Sequence, residues 1–369
     1  MNKKLIAVAV AGLFAAPTVA LAQSSVTISG MFKGGYENLS YRNYQRVASN
    51  KSQSGVVDDS SRIIFSVKED LGGGMSAVGQ IDMRFAPDVG SLSTSGNTFF
   101  GLSSKSWGTI SVGRRDLHYF NRESNLTDKG SLRADSISLL AYVGNTTTGN
   151  LAIANATRTQ NVVHYLSPNW SGFTFILAYS SSPSAQDTDI ASGVRRGSAW
   201  NFNPNFRGAN WQVGYSYWDS KADANVGNTA NQRGDRLYGS YVFPFGLKLG
   251  LAWDKSRVKN AATGVTTAKR DTWSLPISYT WGNHSIHFHY DQANNDKATA
   301  ADDKAKMWAI SYAYDLSKRT SAAITYAQIN NQSGALYNFF TSTSLGLGNS
   351  AVAAGEDPRM FGVTLRHAF

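Results

Sequence analysis

Apolar and polar residues alternate along most of the chain. Across residues 25–39, Val26, Ile28 and Phe32 fall on one parity of positions, and Lys33 falls on the other. This alternation predicts a β-strand with one apolar and one polar face. Similar segments recur about sixteen times, separated by turns rich in Gly, Asn and Asp.

The predicted connections between these strands are short and long in turn, and the long ones are polar. Short turns on one rim and long connections on the other are typical of an outer-membrane barrel, whose short rim is periplasmic. The short connections are at 72, 108, 168, 206–209, 244, 281–283 and 316–319, and the long ones are at 41–59, 187–194, 223–233, 260–268, 294–303 and 330–357.

Hydropathy is compatible with a membrane barrel. The mean hydropathy is −0.28, and no long apolar run occurs after residue 22. In a barrel only alternate residues face lipid, so a low average is expected. The sequence therefore predicts an all-β fold, a transmembrane antiparallel β-barrel of about 16 strands. A soluble β-sandwich is the alternative, although two-sheet sandwiches rarely need so many strands.

The N-terminus has the pattern of a secretory signal peptide. Lys3 and Lys4 precede an apolar run over 5–16, and Ala20 and Ala22 form an A-x-A cleavage site. We expect a signal peptide over 1–22 and a barrel over 23–369. A membrane anchor is the weaker interpretation, because a helical span needs about twenty apolar residues.

Charge and cysteine content narrow the possible functions. Without Lys3 and Lys4, the 35 Lys and Arg residues become 33, against 25 Asp and Glu. Such a balance suits nucleic acid, an anionic membrane surface or anionic solutes. Because the arginines are dispersed in an exported chain, we expect no nucleic-acid partner. The chain has no cysteine, which excludes disulfides, thiolate metal sites and a cysteine nucleophile.

Residues 116–158 lack the strand pattern that surrounds them. A run of roughly forty residues without it needs its own explanation in a compact fold. We predict that about 116–157 form a loop folded into the pore, where it narrows the channel.

Several segments form a set in chain order: 61–62 through 69–74, 101–103 with 108–114, Arg158, Asn161 and Tyr165 with 167–169 and 172–173, 316–320 and 365–369. Together these segments resemble the Gram-negative porin family, in particular the general porins of beta-proteobacteria. The resemblance implies a sixteen-stranded barrel, a homotrimer and a third loop that forms the constriction. It also implies that outward residues of the last strand, Phe361, Val363, Leu365 and Phe369, are read by the outer-membrane assembly machinery.

Charged residues are predicted to line the constriction. By strand parity Arg62, Arg84 and Arg158 point into the lumen, and parity favours Arg115 over Arg114 at the entry to the long loop. Arg62 and Arg158 also match positions where similar porins carry pore arginines. Lys33, where similar porins often have an acid, makes the lumen more basic, whereas Gly96 and Asn97 replace a basic residue. The acids expected to face these arginines are Asp116, Glu123, Asp128 and Asp135.

These observations predict an outer-membrane channel for passive diffusion of small hydrophilic solutes and ions, with a preference for anions. The expected partners are two further copies of the chain, membrane lipid and lipopolysaccharide, small anionic solutes and the assembly machinery. We expect no cofactor. A channel specific for one nutrient class, such as organic acids or sugars, is the alternative, and an adhesin or structural barrel is a more distant one.

An enzymatic role is not predicted. His287, His289 and Asp291 share one face of a strand, and two histidines two residues apart can bind a metal. All three are expected to line water near the short rim. No activated serine or paired carboxylates converge there in the sequence, so we expect neither catalysis nor a metal site.

Overall fold

In the part of the chain that the structure describes, eighteen β-strands form one closed sheet, and each pairing there is between antiparallel neighbours. The computed structural model describes residues 24–43, 51–118, 129–140, 156, 158–183, 197–222, 230–341, 346–347 and 352–369. The strands are β1 (Ser25–Asn43), β2 (Lys51–Asp58), β3 (Arg62–Gly72), β4 (Met75–Ala86), β5 (Ser91–Ser93), β6 (Thr98–Ser104), β7 (Gly108–Arg115), β8 (Thr159–Leu166), β9 (Phe173–Ser180), β10 (Ala199–Arg207), β11 (Trp211–Ser220), β12 (Ala230–Val242), β13 (Leu247–Asn260), β14 (Thr266–Trp281), β15 (His284–Ala293), β16 (Ala305–Asp315), β17 (Thr320–Asn331) and β18 (Glu356–Ala368).

Two wall strands are interrupted, so the eighteen segments make a sixteen-stranded barrel. β2 pairs with the C-terminal part of β1, and β3 pairs with its N-terminal part. Asp59, Ser60 and Ser61 lie between β2 and β3 and interrupt what is otherwise one wall strand. β5 and β6 pair in the same way with the two ends of β4. The predicted count of about sixteen strands is therefore confirmed.

The barrel closes where the first strand meets the last. β1 pairs with β18 from Met31 opposite Ala368 to Asn43 opposite Glu356. Beyond this ladder, the Gly30 and Phe369 amides each donate to the other residue's carbonyl, at 3.0 and 3.1 Å. Closure removes the unpaired strand edges that an open sheet would expose.

The two faces of the wall follow the predicted alternation. Val26 and Ile28 are 69 % and 58 % exposed on the outer face, whereas Lys33 on the opposite parity is buried. Alternate residues of a strand point to opposite faces, so the apolar set lies outside and the polar set inside. Among the residues that the structure describes, no helix is long and apolar enough to cross a membrane.

Two of the connections predicted at the long rim are shorter than expected, because the strands beside them are longer. Most of the predicted 41–59 loop is strand, because β1 runs to Asn43 and β2 begins at Lys51. The predicted 260–268 connection shortens to a turn in which the Gly264 amide donates to the Asn260 carbonyl at 2.9 Å. Strands therefore extend further toward the long rim than the distribution of polar residues indicates.

Candidate functional site

Arg62 and Arg84 lie directly opposite each other on β3 and β4. They differ in their partners. Arg84 is buried, and its Nε and Nη2 atoms donate to both carboxylate oxygens of Asp82 at 2.8 Å. Its Nη1 atom donates to the Ser60 hydroxyl at 2.5 Å. Arg84 therefore lies on the inner face of the wall, as its parity predicted, but Asp82 on the same strand face neutralises it.

Arg62 belongs to a group of like charges. The charges that act on it include the cations Arg84 and Arg158 and the carboxylates Asp82 and Asp116. Asp82 already forms an ion pair with Arg84. Of the two carboxylates that act on Arg62, Asp116 is therefore the one that Arg84 does not neutralise. Arg62 also forms no ion pair within the part of the chain that the structure describes.

A bulge brings two adjacent arginines toward the same region. The pairing of β7 with β8 shifts register between Gly113 and Arg115, which interrupts the regular alternation of side chains. The Arg115 guanidinium carbon lies 3.8 Å from the centroid of the Phe99 ring. Arg114 interacts electrostatically with Arg158 and with Asp116. The sequence parity that favoured Arg115 does not account for Arg114.

Asp116 and Arg158 stand at the two ends of the third connection. The Arg158 Nε atom lies 3.9 Å from an Asp116 carboxylate oxygen. The other Asp116 oxygen accepts from the Asn97 side chain at 2.6 Å, and the Asp116 amide donates to Asn97 Oδ1 at 2.5 Å. Asp116 therefore lies among the arginines, and not opposite them as expected from the sequence. We call Arg62, Arg114, Arg115, Arg158 and Asp116 the arginine cluster.

The described part of the third connection packs on the inner face of the wall. The Ser131 amide donates to Thr325 of β17 at 3.4 Å, and Lys129 forms an ion pair with Asp315 of β16 at 2.8 Å. Two short 3-10 turns, Leu132–Ala134 and Ser136–Ser138, follow and are buried. Residues 129–140 therefore lie inside the barrel against β15 to β18.

A buried ion pair attaches this segment to β1, and a backbone hydrogen bond attaches it to the break after β2. Arg133 Nη1 lies 2.7 Å from Glu37 Oε2. Lys33 Nζ lies 3.0 Å from Asp59 Oδ2, and the Asp59 carboxylate also accepts from the Leu132 amide at 3.2 Å. The buried ion pair with Asp59 neutralises the charge of Lys33. Contrary to the prediction, it does not make the lumen more basic.

The start of the third connection crosses toward the opposite wall. His118 is buried, and its Nδ1 atom lies 2.8 Å from the Ser216 hydroxyl of β11. Its Nε2 atom lies 3.7 Å from Asp254 of β13. A Cβ atom on Gly234 of β12 would lie 2.6 Å from the ring, so only glycine leaves room there. The sequence alone indicates no role for His118, because its partners Ser216 and Asp254 are distant in sequence.

Asp135 is not among the arginines. It is fully buried, and its carboxylate lies 3.9 Å from His289 Nε2 on β15. His289 Nδ1 lies 2.7 Å from Asp291. The expectation that His289 and Asp291 line water is therefore wrong, because the third connection covers both. In the described ranges no group of three His, Cys, Asp or Glu residues is arranged to hold a metal ion.

The connection between β17 and β18 also folds inward, and it packs on the third connection. The Phe340 amide donates to the Ser138 hydroxyl at 3.0 Å, and Tyr337 contacts Arg270. Gly346 adopts a φ of +68°, and a Cβ atom there would lie 2.4 Å from Arg133. These contacts enclose an apolar cluster inside the barrel, which includes Leu39, Tyr41, Leu139, Met307, Ile329, Tyr337, Phe339 and Met360.

The remaining predicted residues divide into two groups. Phe361, Val363, Leu365 and Phe369 all project from the outer face of β18 and the residue after it, as their parity predicted. Glu123 and Asp128 lie outside the described residues, as does the predicted signal peptide.

Comparisons with known proteins agree with this architecture. The sequence model of the Gram-negative porin family matches residues 7–334. An outer membrane porin protein of Bordetella pertussis is 28 % identical over 87 % of this chain and 92 % of its own length. Outer membrane porin protein 32 of Delftia acidovorans is 28 % identical over the whole of both chains.

Solved structures give the same fold. An anion-selective porin from Comamonas acidovorans superposes with a TM-score of 0.75 at 23 % identity, over 94 % of this chain and all of the other. OmpT of Vibrio cholerae, in its trimer form, superposes with a TM-score of 0.65 at 11 % identity, over 94 % and 99 %. With the closed barrel and the family match together, the chain belongs to the Gram-negative porin family and is an outer-membrane porin.

Proposed function

We propose that this porin is a homotrimeric diffusion channel that prefers anions, and that the arginine cluster is the selecting part of its wall. The observation that carries the proposal is an imbalance of charge. Four arginines share the neighbourhood of one carboxylate that is not otherwise ion-paired, Asp116. Cations lining a narrow, low-dielectric passage raise the local concentration of anions.

The acids that could cancel this field are already engaged. Asp82 is bound by Arg84. Asp59 is bound by Lys33 and Glu37 by Arg133. Each pair is buried, so it adds little net charge to the water in the pore. The arginine cluster is thus left as a source of positive potential in the described part of the wall.

The third connection is proposed to form the constriction. Its start contacts β11 and β13 through His118, and residues 129–140 contact the opposite arc from β15 to β18. A segment attached at both places occupies part of the lumen, so solutes pass on the side where the arginine cluster lies. We propose that the arginine cluster faces the narrowest part of this passage.

Assembly is proposed to follow the family pattern. The trimer form of Vibrio cholerae OmpT supports a trimer here through the shared fold. The outward residues Phe361, Val363, Leu365 and Phe369 are proposed as the signal read by the assembly machinery. We propose transport without catalysis, because the polar groups inside the barrel serve to attach the connections to the wall.

The test is single-channel recording of the purified protein in a planar bilayer with a KCl gradient. We expect ohmic conductance, closure in three equal steps and a reversal potential with the sign set by chloride. A reversal potential set by potassium would contradict the arginine cluster as selector. Conductance that saturates with one solute and is blocked by it would instead indicate a substrate-specific channel.

A further inference from the structure

Two residues between β5 and β6 contact both of the carboxylates near the arginine cluster. The Gly96 amide donates to the Asp82 carbonyl at 3.2 Å, and a Cβ atom on Gly96 would overlap the Asp82 carboxylate. Glycine therefore leaves room for the carboxylate that binds Arg84. The next residue, Asn97, contacts the carboxylate of Asp116.

Asn97 holds Asp116 with two hydrogen bonds. Its Nδ2 atom donates to Asp116 Oδ2 at 2.6 Å, and its Oδ1 atom accepts from the Asp116 amide at 2.5 Å. A side-chain amide supplies both a donor and an acceptor, whereas an ionised carboxylate has no donor and a lysine or arginine has no acceptor. Gln80 Nε2 donates to the Asn97 carbonyl at 3.2 Å and so fixes the backbone beside the amide. Asn97 therefore determines the orientation of the Asp116 carboxylate.

No arginine hydrogen-bonds to this carboxylate in the part of the chain that the structure describes. Asp116 Oδ1, the oxygen that Asn97 does not contact, is buried and accepts no hydrogen bond there. The Arg158 Nε atom lies 3.9 Å from it, which is too long for a hydrogen bond. Arginine and a carboxylate commonly form two parallel hydrogen bonds of about 2.7–2.9 Å. Asp116 is therefore near the arginines without being bound in that geometry.

This separation affects the potential in the passage. A carboxylate in bidentate contact with an arginine neutralises its charge and uses the N–H donors that a passing anion would otherwise contact. At a longer distance the carboxylate offsets the positive charge less, because the Coulomb energy falls as the separation grows. The position of Asp116 thus changes how much positive potential the arginine cluster presents to the water in the pore.

We propose that Asn97 is a positioning residue that sets the strength of the anion preference, because it holds Asp116 away from the arginines. The inference rests on the proposed function, in which the arginine cluster selects anions. Without the Asn97 amide, the Asp116 carboxylate loses both hydrogen bonds and turns toward Arg158 or Arg114, the two cations that interact with it electrostatically. The pore then keeps its arginines but loses part of their positive potential.

The test is the chloride-to-potassium permeability ratio of the full protein in planar bilayers. Asn97→Leu removes both hydrogen bonds at nearly constant side-chain volume, and Asp116→Asn removes the acid. We expect Asn97→Leu to lower the ratio and Asp116→Asn to raise it, each about twofold. Because Asn97 acts through the Asp116 carboxylate, the double variant N97L/D116N should have the same ratio as D116N.

Asn205→Leu is the matched control. Asn205 is an amide on the inner face of β10, and it donates to the Tyr238 hydroxyl at 3.2 Å. Its substitution should leave the permeability ratio at the wild-type value. The heat-modifiable band on a gel reports folding for every variant. Asn97→Ala, which removes the same two hydrogen bonds, replaces Asn97→Leu if the larger apolar side chain prevents folding.

The outcomes separate this inference from the proposed function. An equal drop on adding Asn97→Leu to wild type and to D116N would overturn the inference, because a merely structural role of Asn97 does not require the acid. An unchanged ratio in N97L beside a raised ratio in D116N would also overturn it, while the proposed function would stand. An unchanged ratio in D116N would instead contradict the arginine cluster as the selecting part of the wall.

Discussion

Arg133 Nη1 lies 2.7 Å from Glu37 Oε2, and this buried pair joins the third connection to the first strand of the barrel. The second Glu37 oxygen accepts from the Ser131 hydroxyl at 3.2 Å. Removing one partner from a buried ion pair leaves an uncompensated charge, which costs about 3–5 kcal/mol. Glu37 and Arg133 thus determine where the segment lies in the lumen.

The substitution Glu37→Gln should therefore loosen the third connection without opening the barrel wall. We expect larger current fluctuations in the open state and a higher mean conductance in single-channel recordings. Lys129→Gln is the matched control, because its pair with Asp315 is partly exposed and such pairs contribute about 0–1 kcal/mol. Fluctuations as small in Glu37→Gln as in Lys129→Gln would show that the pair does not hold the segment.

His118 predicts how the channel responds to acid. Burial lowers the pKa of His118 below its ordinary value of 6.5, and Asp254 opposes this effect. Because the buried ring binds a proton less readily than an exposed one, its contacts are fully stable above pH 6.5 and weaken as the pH falls below it. Asp235 also favours the protonated ring, and Arg236 disfavours it.

We therefore expect closures to become more frequent as the pH falls from about 7.5 to about 5. Asn at position 118 retains a side-chain amide for the Ser216 hydroxyl but does not titrate. The variant His118→Asn should consequently lose most of this pH dependence in planar-bilayer recordings. An identical pH response in His118→Asn and wild type would assign the response to other groups.

Phe369 lies at the seam where the barrel closes. Its backbone exchanges two hydrogen bonds with Gly30, and its ring centroid lies 5.8 Å from that of Phe32. We expect deletion of Phe369 to lower the yield of folded protein in the outer membrane severalfold. Phe202→Ala serves as control, because it removes an exposed outward ring of β10 that is not at the seam. Folded protein is measured as the heat-modifiable band on a gel. Equal yields from the two variants would exclude a special role for the last residue.

Strand parity predicted the faces of the wall well. It placed Val26 outside and Lys33 and Arg62 inside, since a strand has only two faces and one is apolar. Parity could also have indicated the Arg84 pair, because Asp82 is two residues away on the same face. The alternation that defines the barrel was therefore readable from local residue order alone.

The contacts inside the barrel could not be predicted from strand parity. The partner of Lys33 is Asp59, which lies in the break between β2 and β3 where no parity applies. His118 contacts Ser216, and Asp135 approaches His289, across large separations in sequence. Such contacts depend on how an irregular connection folds inside a closed barrel. Residue spacing contains no information about that path.

Arg62 and Arg158 are proposed to set the ion preference of the pore. The most direct test is the reversal potential of the double variant R62S/R158S across a KCl gradient, compared with wild type. The control R207S/R319S removes two cations near the short rim, where Arg207 binds Gln212 and Arg319 is exposed. We expect R62S/R158S to lose the anion preference, with folding and conductance retained, whereas the control keeps that preference. An unchanged reversal potential in R62S/R158S would exclude Arg62 and Arg158 as the residues that select anions.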